Sequence, residues 1–286
     1  MGQTQTSGYL SVGRRRLYGT VFRPATPRPL AVVLYDAFGE EKKSAFRVMV
    51  RLARACAERG FTTFRFDLSG TGESAGVHAA ATWPDWQEDA LAAAAFAQTE
   101  AATSRWVAVG VRLGAFQAIH AASQGGAQAL ALVEPVLTGE ECLRDLDRRQ
   151  RLKQVVSGAG GAEEDSAARW ARGEAVDFGG FEVGARLAAE LRSESLATRL
   201  ASLRPDCPLQ VLRVSGSKAF PPAWKALTER AEACPPGRAE VVRDKPFWGQ
   251  LEYYESDLVQ DAVLAFIEAL HGPAARAPGS AEAAPS

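Results

Sequence analysis

Gly110-Val111-Arg112-Leu113-Gly114 is the stretch of sequence that decides the fold of this chain. It follows a short apolar run at 106–110 and leads into an apolar, alanine-rich segment at 113–123 with helical spacing. Glycine at both ends of such a junction lets the backbone turn sharply and pack closely. The stretch therefore predicts a buried strand that passes through a tight turn directly into a helix.

Outward from this junction, short apolar or β-branched runs alternate with longer segments rich in alanine, leucine and arginine. The predicted strands are 17–22, 30–35, 61–67, 106–110, 129–134, 209–215 and 239–243. The predicted helices are 44–59, 86–99, 113–123, 223–234 and 254–270. Apolar strands joined by helical crossovers are typical of an α/β protein with a mostly parallel central sheet and helices on both faces.

Two regions depart from this alternation. Residues 137–205 contain charged helical stretches near 140–155 and 182–200, joined by a flexible run at 157–161, and we expect them to form a helical cap insertion over the carboxyl edge of the sheet. The basic stretch 144–153 is expected to be a solvated face of that cap. The domain prediction is a core of 1–136 and 206–271, a cap of 137–205, and a disordered tail of 272–286 rich in Ala, Pro, Gly and Ser.

Composition excludes several classes of protein. The 33 Lys and Arg residues balance 34 Asp and Glu residues, so we expect neither nucleic acid nor an anionic membrane as a general partner. No apolar run approaches the roughly 18–20 residues that span a bilayer, so a membrane-spanning protein is not expected. The four cysteines are scattered without metal or redox spacing, which favours reduced thiols in a cytoplasmic protein. The sequence predicts no cofactor and no metal.

In open α/β sheets the functional site lies outside the carboxyl ends of the strands, so the residues that end each predicted strand are the site candidates. The strand ends carry the stretches 36–41, 67–74, 110–114, 134–135, 215–218 and 245–248. From these we expect Asp36, Glu40, Glu134 and Trp248 to line a cleft.

The junction at 110–114 resembles a known frame. A strand, Gly-x-x-x-Gly and a helix form the nucleophile elbow of α/β-hydrolases, whose motif is Gly-x-Ser-x-Gly. The stretch 64–74, which ends in Asp67-Leu-Ser-Gly-Thr-Gly-Glu-Ser, is similar to the segment found upstream of that elbow. This resemblance covers nearly the whole chain and implies the α/β-hydrolase fold.

A narrower resemblance rests on 38–44, 110–115, 134–140 and the Pro-Phe-Trp run at 246–248. These stretches resemble the exosortase A system-associated hydrolases of the second type. Those are bacterial α/β-hydrolase-like proteins linked to exopolysaccharide and protein sorting, and the resemblance implies that setting for this chain.

The catalytic positions implied by the α/β-hydrolase resemblance are occupied by the wrong residues. The nucleophile position is Arg112, a cation at any working pH and not a nucleophile. The stretch 215–220, where the acid is expected, contains no carboxylate, and Pro246 stands where the base is expected. The other histidines offer no substitute: we expect His120 to be a packing residue, His78 a surface loop residue and His271 solvent-exposed.

The groups that would stabilise a negative charge in such a site are still expected. The backbone amides of Leu113 and of Ala37 or Phe38 would occupy the oxyanion-hole positions, at the positive end of the helix 113–123. Arg112 adds a full charge there, so a carboxylate or phosphate is a candidate ligand. The alternative is an internal ion pair of Arg112. Its candidate partners are Glu40, Glu41, Asp36 and Glu134.

Three functions are compatible with these residues. The leading hypothesis is a non-catalytic binding or accessory protein for an anionic or acyl small molecule. The second is an ester or amide hydrolase that uses Cys142, or water activated by Asp36 or Glu40. The third is an interaction protein that docks a partner on the cap. The strand-end carboxylates also suit Mg²⁺, but they follow no known metal-binding spacing. Glycines at 70, 72 and 76 lack the spacing of a dinucleotide site.

Overall fold

The computed structural model describes residues 2–157, 164–248 and 257–270. His271, the tail 272–286, most of the 157–161 run and the first residues of the last predicted helix lie outside this range.

Within the described residues, the core is one sheet of eight strands. The strands are β1 (Thr4–Val12), β2 (Arg15–Arg23), β3 (Ala31–Tyr35), β4 (Thr62–Phe66), β5 (Trp106–Val111), β6 (Ala129–Val133), β9 (Leu209–Val214) and β10 (Arg238–Val242). They lie side by side in the order β1-β2-β4-β3-β5-β6-β9-β10. The strands from β4 to β10 are parallel, whereas β2 pairs antiparallel with both β1 and β4. The mostly parallel sheet is confirmed. The predicted set lacks β1, because this edge strand is largely exposed and has no buried apolar face.

Helices cover both faces of the sheet. They are α1 (Glu40–Glu58), α2 (Trp83–Glu100), α3 (Gly114–Gly125), α8 (Lys225–Glu232) and α9 (Asp257–Ala269), with short 3₁₀ turns at His78–Ala80 and Pro222–Trp224. Side chains of α1 and α9 pack with one face, and those of α2, α3 and α8 pack with the other. Alternate residues of β3 supply both layers, Val32 and Leu34 to the first, Val33 and Tyr35 to the second.

The segment between β6 and β9 is built from small elements. They are α4 (Gly139–Ser157), α5 (Ser166–Ala171), the strands β7 (Val176–Asp177) and β8 (Glu182–Val183), α6 (Ala185–Arg192) and α7 (Leu196–Ala201). Its apolar residues, among them Leu143, Leu187 and Leu191, join the core layer of α2 and α3. The Trp170 indole is anchored inside the segment, where its N–H donates to the Val183 carbonyl at 2.8 Å. The segment therefore shares its core with the sheet rather than folding around one of its own.

Candidate functional site

The turn between β5 and α3 is as sharp as the glycines predict. A Cβ atom on Gly114 would lie 2.2 Å from the Tyr35 carbonyl oxygen and 2.4 Å from that of Asp36. A Cβ on Gly110 would lie 2.7 Å from Ala115 Cα. Between the two glycines, Arg112 has φ of 53°, a left-handed conformation that costs a non-glycine residue roughly 1–3 kcal/mol. The elbow frame is therefore present, with an arginine in its strained position.

The Arg112 side chain is turned inward and fully engaged. Its Nε donates to Glu41 Oε1 at 2.9 Å, its Nη2 to Asp145 Oδ2 at 3.2 Å, and its Nη1 to the Glu134 carbonyl at 3.3 Å. Only 8% of the residue is exposed. Burial acts to lower the pKa of Arg112, but Glu41 and Asp145 outweigh it and the pKa is raised. The guanidinium is therefore a buried cation whose charge is balanced by these two carboxylates.

Helix α4 completes this charge network. Arg149, 18% exposed, also donates to Glu41 Oε1, and Lys153 pairs with Glu40. Asp145 additionally accepts from Arg148 at 3.1 Å. The prediction that this basic stretch is a solvated face is wrong for Arg149, because the helix turns that side chain toward α1. These ion pairs hold α4 against α1 and against the turn between β5 and α3, and they occupy the space beside that turn.

The predicted ion pair is confirmed for one of its four candidate partners, Glu41. The others are wrong: the Asp36 carboxylate lies against Arg65, Glu40 pairs with Lys153, and the Glu134 carboxylate accepts from Val214 N at 2.6 Å. Glu134 reaches Arg112 only through its backbone carbonyl.

The positions that the resemblance implies for the acid and the base are occupied by the loop after β9 and by Pro246. The loop after β9 is held by its own serines, with Ser217 N donating to Ser215 Oγ at 3.1 Å. Pro246 leads into Phe247, which is buried and stacks on Trp248 with ring centroids 4.2 Å apart. The sequence of 249–256, outside the described residues, contains no histidine.

The two histidines within the described residues lie in different environments. His120 is half-buried on α3, and burial lowers its pKa, as suits a packing residue. His78 opens a 3₁₀ turn and contacts Phe38 and Phe181 at centroid distances of 5.6 and 6.0 Å. His78 lies in the loop between β4 and α2, as predicted, but it is only partly exposed because its ring packs against these aromatic rings.

A cavity of about 990 Å³ lies at the carboxyl ends of β3 and β4, beside the start of α1. Asp36, Ala37, Phe38 and Glu40 line it, as their positions at the end of β3 predicted. Phe181, from the turn between β7 and β8, lines it from the inserted segment.

The remaining predicted site residues are not among the lining residues. Arg112 is held in the network described above, and Leu113 is 2% exposed in the core. Trp248, predicted to line the cleft, packs with the α1 and α9 layer. Glu134 is turned toward the end of β9 by its bond to Val214 N.

The cavity floor carries ion pairs that no sequence pattern predicts. Asp36 Oδ2 lies 2.6 Å from Arg65 Nη2, and Lys42 Nζ lies 2.5 Å from Asp67 Oδ1. Both amide atoms of buried Gln117 lack a hydrogen-bond partner among the described residues. Arg65 and Gln117 lie inside a strand and a helix, so no motif or strand end marked them.

Metal binding by the strand-end carboxylates finds no support in this arrangement. Asp36, Glu41 and Asp67 each face an arginine or lysine rather than one another. Within 2–157, 164–248 and 257–270, no group of three or more potential ligands is placed to hold an ion.

Cys142, one of the proposed alternative nucleophiles, lies in a site that opposes nucleophilic chemistry. The residue is 6% exposed, and burial raises the pKa of its thiol to about 12. Because the thiolate is the reactive form, this environment disfavours reaction of the thiol near neutral pH. The structure therefore gives no support to Cys142 as the nucleophile of the hydrolase hypothesis.

Thiol titration tests this conclusion. With a disulfide reagent at pH 8, we expect rapid labelling of Cys234 alone, since Cys56, Cys142 and Cys207 are buried. All four cysteines of the chain should react in denaturant. Cys234→Ala should abolish the rapid phase and Cys142→Ala should leave it unchanged. A rapid phase that disappears in Cys142→Ala would contradict the inert environment of that thiol.

The chain is similar to several known proteins. A family model described as serine aminopeptidase, S33, matches residues 32–158, less than half of the chain. Est1E from Butyrivibrio proteoclasticus, solved with ferulic acid bound, matches with a TM-score of 0.64 at 16% identity, covering 92% of this chain and 99% of that chain.

Two further solved structures give the same result. A proline iminopeptidase from Mycobacterium smegmatis matches with a TM-score of 0.60 at 17% identity, covering 93% of this chain and 98% of that one. An esterase from Pyrococcus furiosus matches with a TM-score of 0.61 at 12% identity, covering 94% and 92%. At such identities the likeness shows the fold, and the expected α/β-hydrolase fold is confirmed. The chain has no match among functionally curated proteins.

None of the helices within the described residues is sufficiently long and apolar to cross a bilayer.

Proposed function

We propose that this protein, a chain with the α/β-hydrolase fold, is a non-hydrolytic binding or accessory protein that holds a small molecule in the cavity beside the elbow. The proposal rests on the position of Arg112 and on its ion pairs. The residue occupies the nucleophile position, and Glu41 and Asp145 neutralise its charge.

The ion-pair network argues against a latent nucleophile. Serine-type catalysis needs a hydroxyl or thiol at the elbow, a base within hydrogen-bond reach and an acid that orients the base. Here a guanidinium fills the first position, while a proline and a carboxylate-free loop stand at the others. The favourable contacts of Arg112 with two carboxylates also leave little capacity for an anionic ligand at this point. We therefore move the proposed binding site from Arg112 to the cavity lined by Asp36, Phe38 and Glu40.

A hydrolase is the second candidate function. The family match and the esterases and peptidase among the solved structures favour it. On this chain it would need water activated by Asp36 or Glu40, because Cys142 is buried. Asp36 faces Arg65 and Glu40 pairs with Lys153, so each candidate base is already held by a cation. This engagement of both carboxylates by cations places the hydrolase function second.

The biological setting is proposed from the sequence resemblance alone. The stretches similar to exosortase A system-associated hydrolases favour a role in a bacterial surface-polymer system, in the cytoplasm. Docking of a protein partner on the inserted segment is compatible with this setting and is the third candidate function.

Ester hydrolysis is the direct test of the proposed function. We expect purified wild type, Arg112→Ala and Arg112→Ser to hydrolyse p-nitrophenyl acetate and butyrate at the rate of buffer alone. A fluorophosphonate probe should label none of the three proteins. Arg112→Ser should remain inactive, because no base or acid stands beside the new hydroxyl. Circular dichroism on each variant verifies that inactivity is measured on folded protein.

Two results would contradict the proposal. Turnover by wild type that is lost in Asp36→Asn would establish the hydrolase with carboxylate-activated water. A strong gain of activity or of fluorophosphonate labelling in Arg112→Ser would show that the triad positions are assigned to the wrong residues.

A further inference from the structure

The charges that line the cavity balance. Its basic and acidic side chains are Lys42, Lys43, Arg47 and Arg65 against Asp36, Glu40, Asp67 and Glu73. A ligand with a net charge of either sign would meet as many repelling as attracting groups. This balance of charges favours a neutral ligand. It argues against the anionic ligand that the sequence predicted at the start of the helix 113–123 beside Arg112.

The polar groups of the wall are arranged as donor and acceptor side by side. Arg65 lies against Asp36 and Lys42 against Asp67, and the Gln117 amide supplies both kinds of atom with no partner of its own among the described residues. A hydroxyl group donates one hydrogen bond and accepts others, so it matches such a pair without breaking it. An alkyl chain would instead remove these ion pairs from water without replacing their hydrogen bonds.

Aromatic rings form the rest of the wall. Phe38 and Phe181 lie with centroids 6.2 Å apart, and Phe181 is also covered by the Lys43 ammonium at 4.6 Å. Phe46 also lines the cavity, with the Arg65 guanidinium 4.6 Å from its ring centroid. Phe46 is 49% exposed and Phe181 is partly exposed, so the ring surface that these cations do not cover remains for the C–H surface of a cyclic ligand.

We infer that the cavity binds a neutral, polyhydroxylated ring compound of the saccharide class, with Asp36, Arg65 and Gln117 as its hydrogen-bonding residues. The inference rests on the proposed binding function and names its ligand class. A volume of about 990 Å³ is at the upper end of ordinary ligand sites and accommodates more than one ring.

Saturation-transfer difference NMR on the full chain tests this inference. The neutral probes are methyl β-D-glucopyranoside, maltose and N-acetylglucosamine, and the opposing probes are inorganic phosphate, followed by ³¹P line broadening, and octanoate. Octyl β-D-glucopyranoside, used below its micellar concentration, separates a lipid-linked sugar from a free one. We expect saturation transfer to the ring protons of at least one neutral probe, and binding about tenfold weaker in Asp36→Asn and Gln117→Leu.

Gln210→Leu is the matched control, since Gln210 is equally buried but lies in β9 away from the cavity lining. It should bind as wild type does. Three outcomes overturn the inference: only phosphate or octanoate binds, no probe binds, or the saccharide binds equally to all variants. Each of these leaves the non-hydrolytic function standing, because that function fails on ester turnover or on fluorophosphonate labelling and not on the binding of these probes.

Discussion

Replacing Arg112 by alanine is expected to lower the free energy of unfolding by about 3 kcal/mol, the lower end of what breaking a buried ion pair costs. The variant leaves Glu41 buried with Arg149 as its remaining cation, and Asp145 with Arg148 alone. The cost arises mainly from desolvated carboxylates that lose a partner, since alanine at this position keeps the same left-handed backbone strain. Urea unfolding followed by circular dichroism measures the change.

An exposed ion pair of the inserted segment provides the control. Arg192 pairs with Glu140 at 3.2 Å, with both side chains more than a third exposed, and its guanidinium lies 5.2 Å from the Trp170 ring centroid. Arg192→Ala should therefore change stability by about 1 kcal/mol or less. A double-mutant cycle of Arg112→Ala with Glu41→Gln should show strong coupling, since removing the second partner relieves the unpaired charge. Equal losses in Arg112→Ala and Arg192→Ala, with no coupling, would show that the network contributes nothing to stability.

Gly114→Ala is expected to be the other severe substitution, with a loss of about 3 kcal/mol or more. The new methyl group would overlap two backbone carbonyls, those of Tyr35 and Asp36, and backbone cannot move aside as a side chain can. Either α3 must separate from the end of β3 or the turn must open. Because Gly114 and Asp36 also line the cavity, probe binding should weaken together with stability.

Gly216→Ala is the matched control for this substitution. A Cβ atom on Gly216 would meet nothing within 4 Å, so its urea midpoint should equal that of wild type. If Gly114→Ala does not fold, a lower yield of folded protein than that of Gly216→Ala still shows the loss of stability. A Gly114→Ala variant with the wild-type midpoint would show that the contact at the elbow is looser than its geometry indicates.

These two substitutions separate the frame of the elbow from its chemistry. Gly110 and Gly114 are required by close packing between α3, β5 and the end of β3, whichever residue stands between them. The frame therefore persists with an arginine in the nucleophile position, and a glycine motif alone shows a fold rather than an activity.

The elements that the sequence predicts well are those with a buried apolar face. All seven predicted strands and the core helices are present. The central strands β3, β5 and β6 are buried along their whole length and leave continuous apolar runs in the sequence. The strand β1 leaves no such signal, since its residues face solvent at the edge of the sheet. The hairpin of β7 and β8 has two residues in each strand, too few for any periodicity.

By itself the sequence determined the fold class, because the apolar runs of the strands and the glycines at 110 and 114 are local signals in the chain. It also predicted that Arg112 and Pro246 stand where the resemblance implies a nucleophile and a base. Only the tertiary structure decided what Arg112 does. Successive residues of a helix point about 100° apart, so Glu41 reaches Arg112 while Glu40 is directed to Lys153. The cavity was decided in the same way, since Arg65 and Gln117 come from the interior of elements distant in sequence and meet only when the chain has folded.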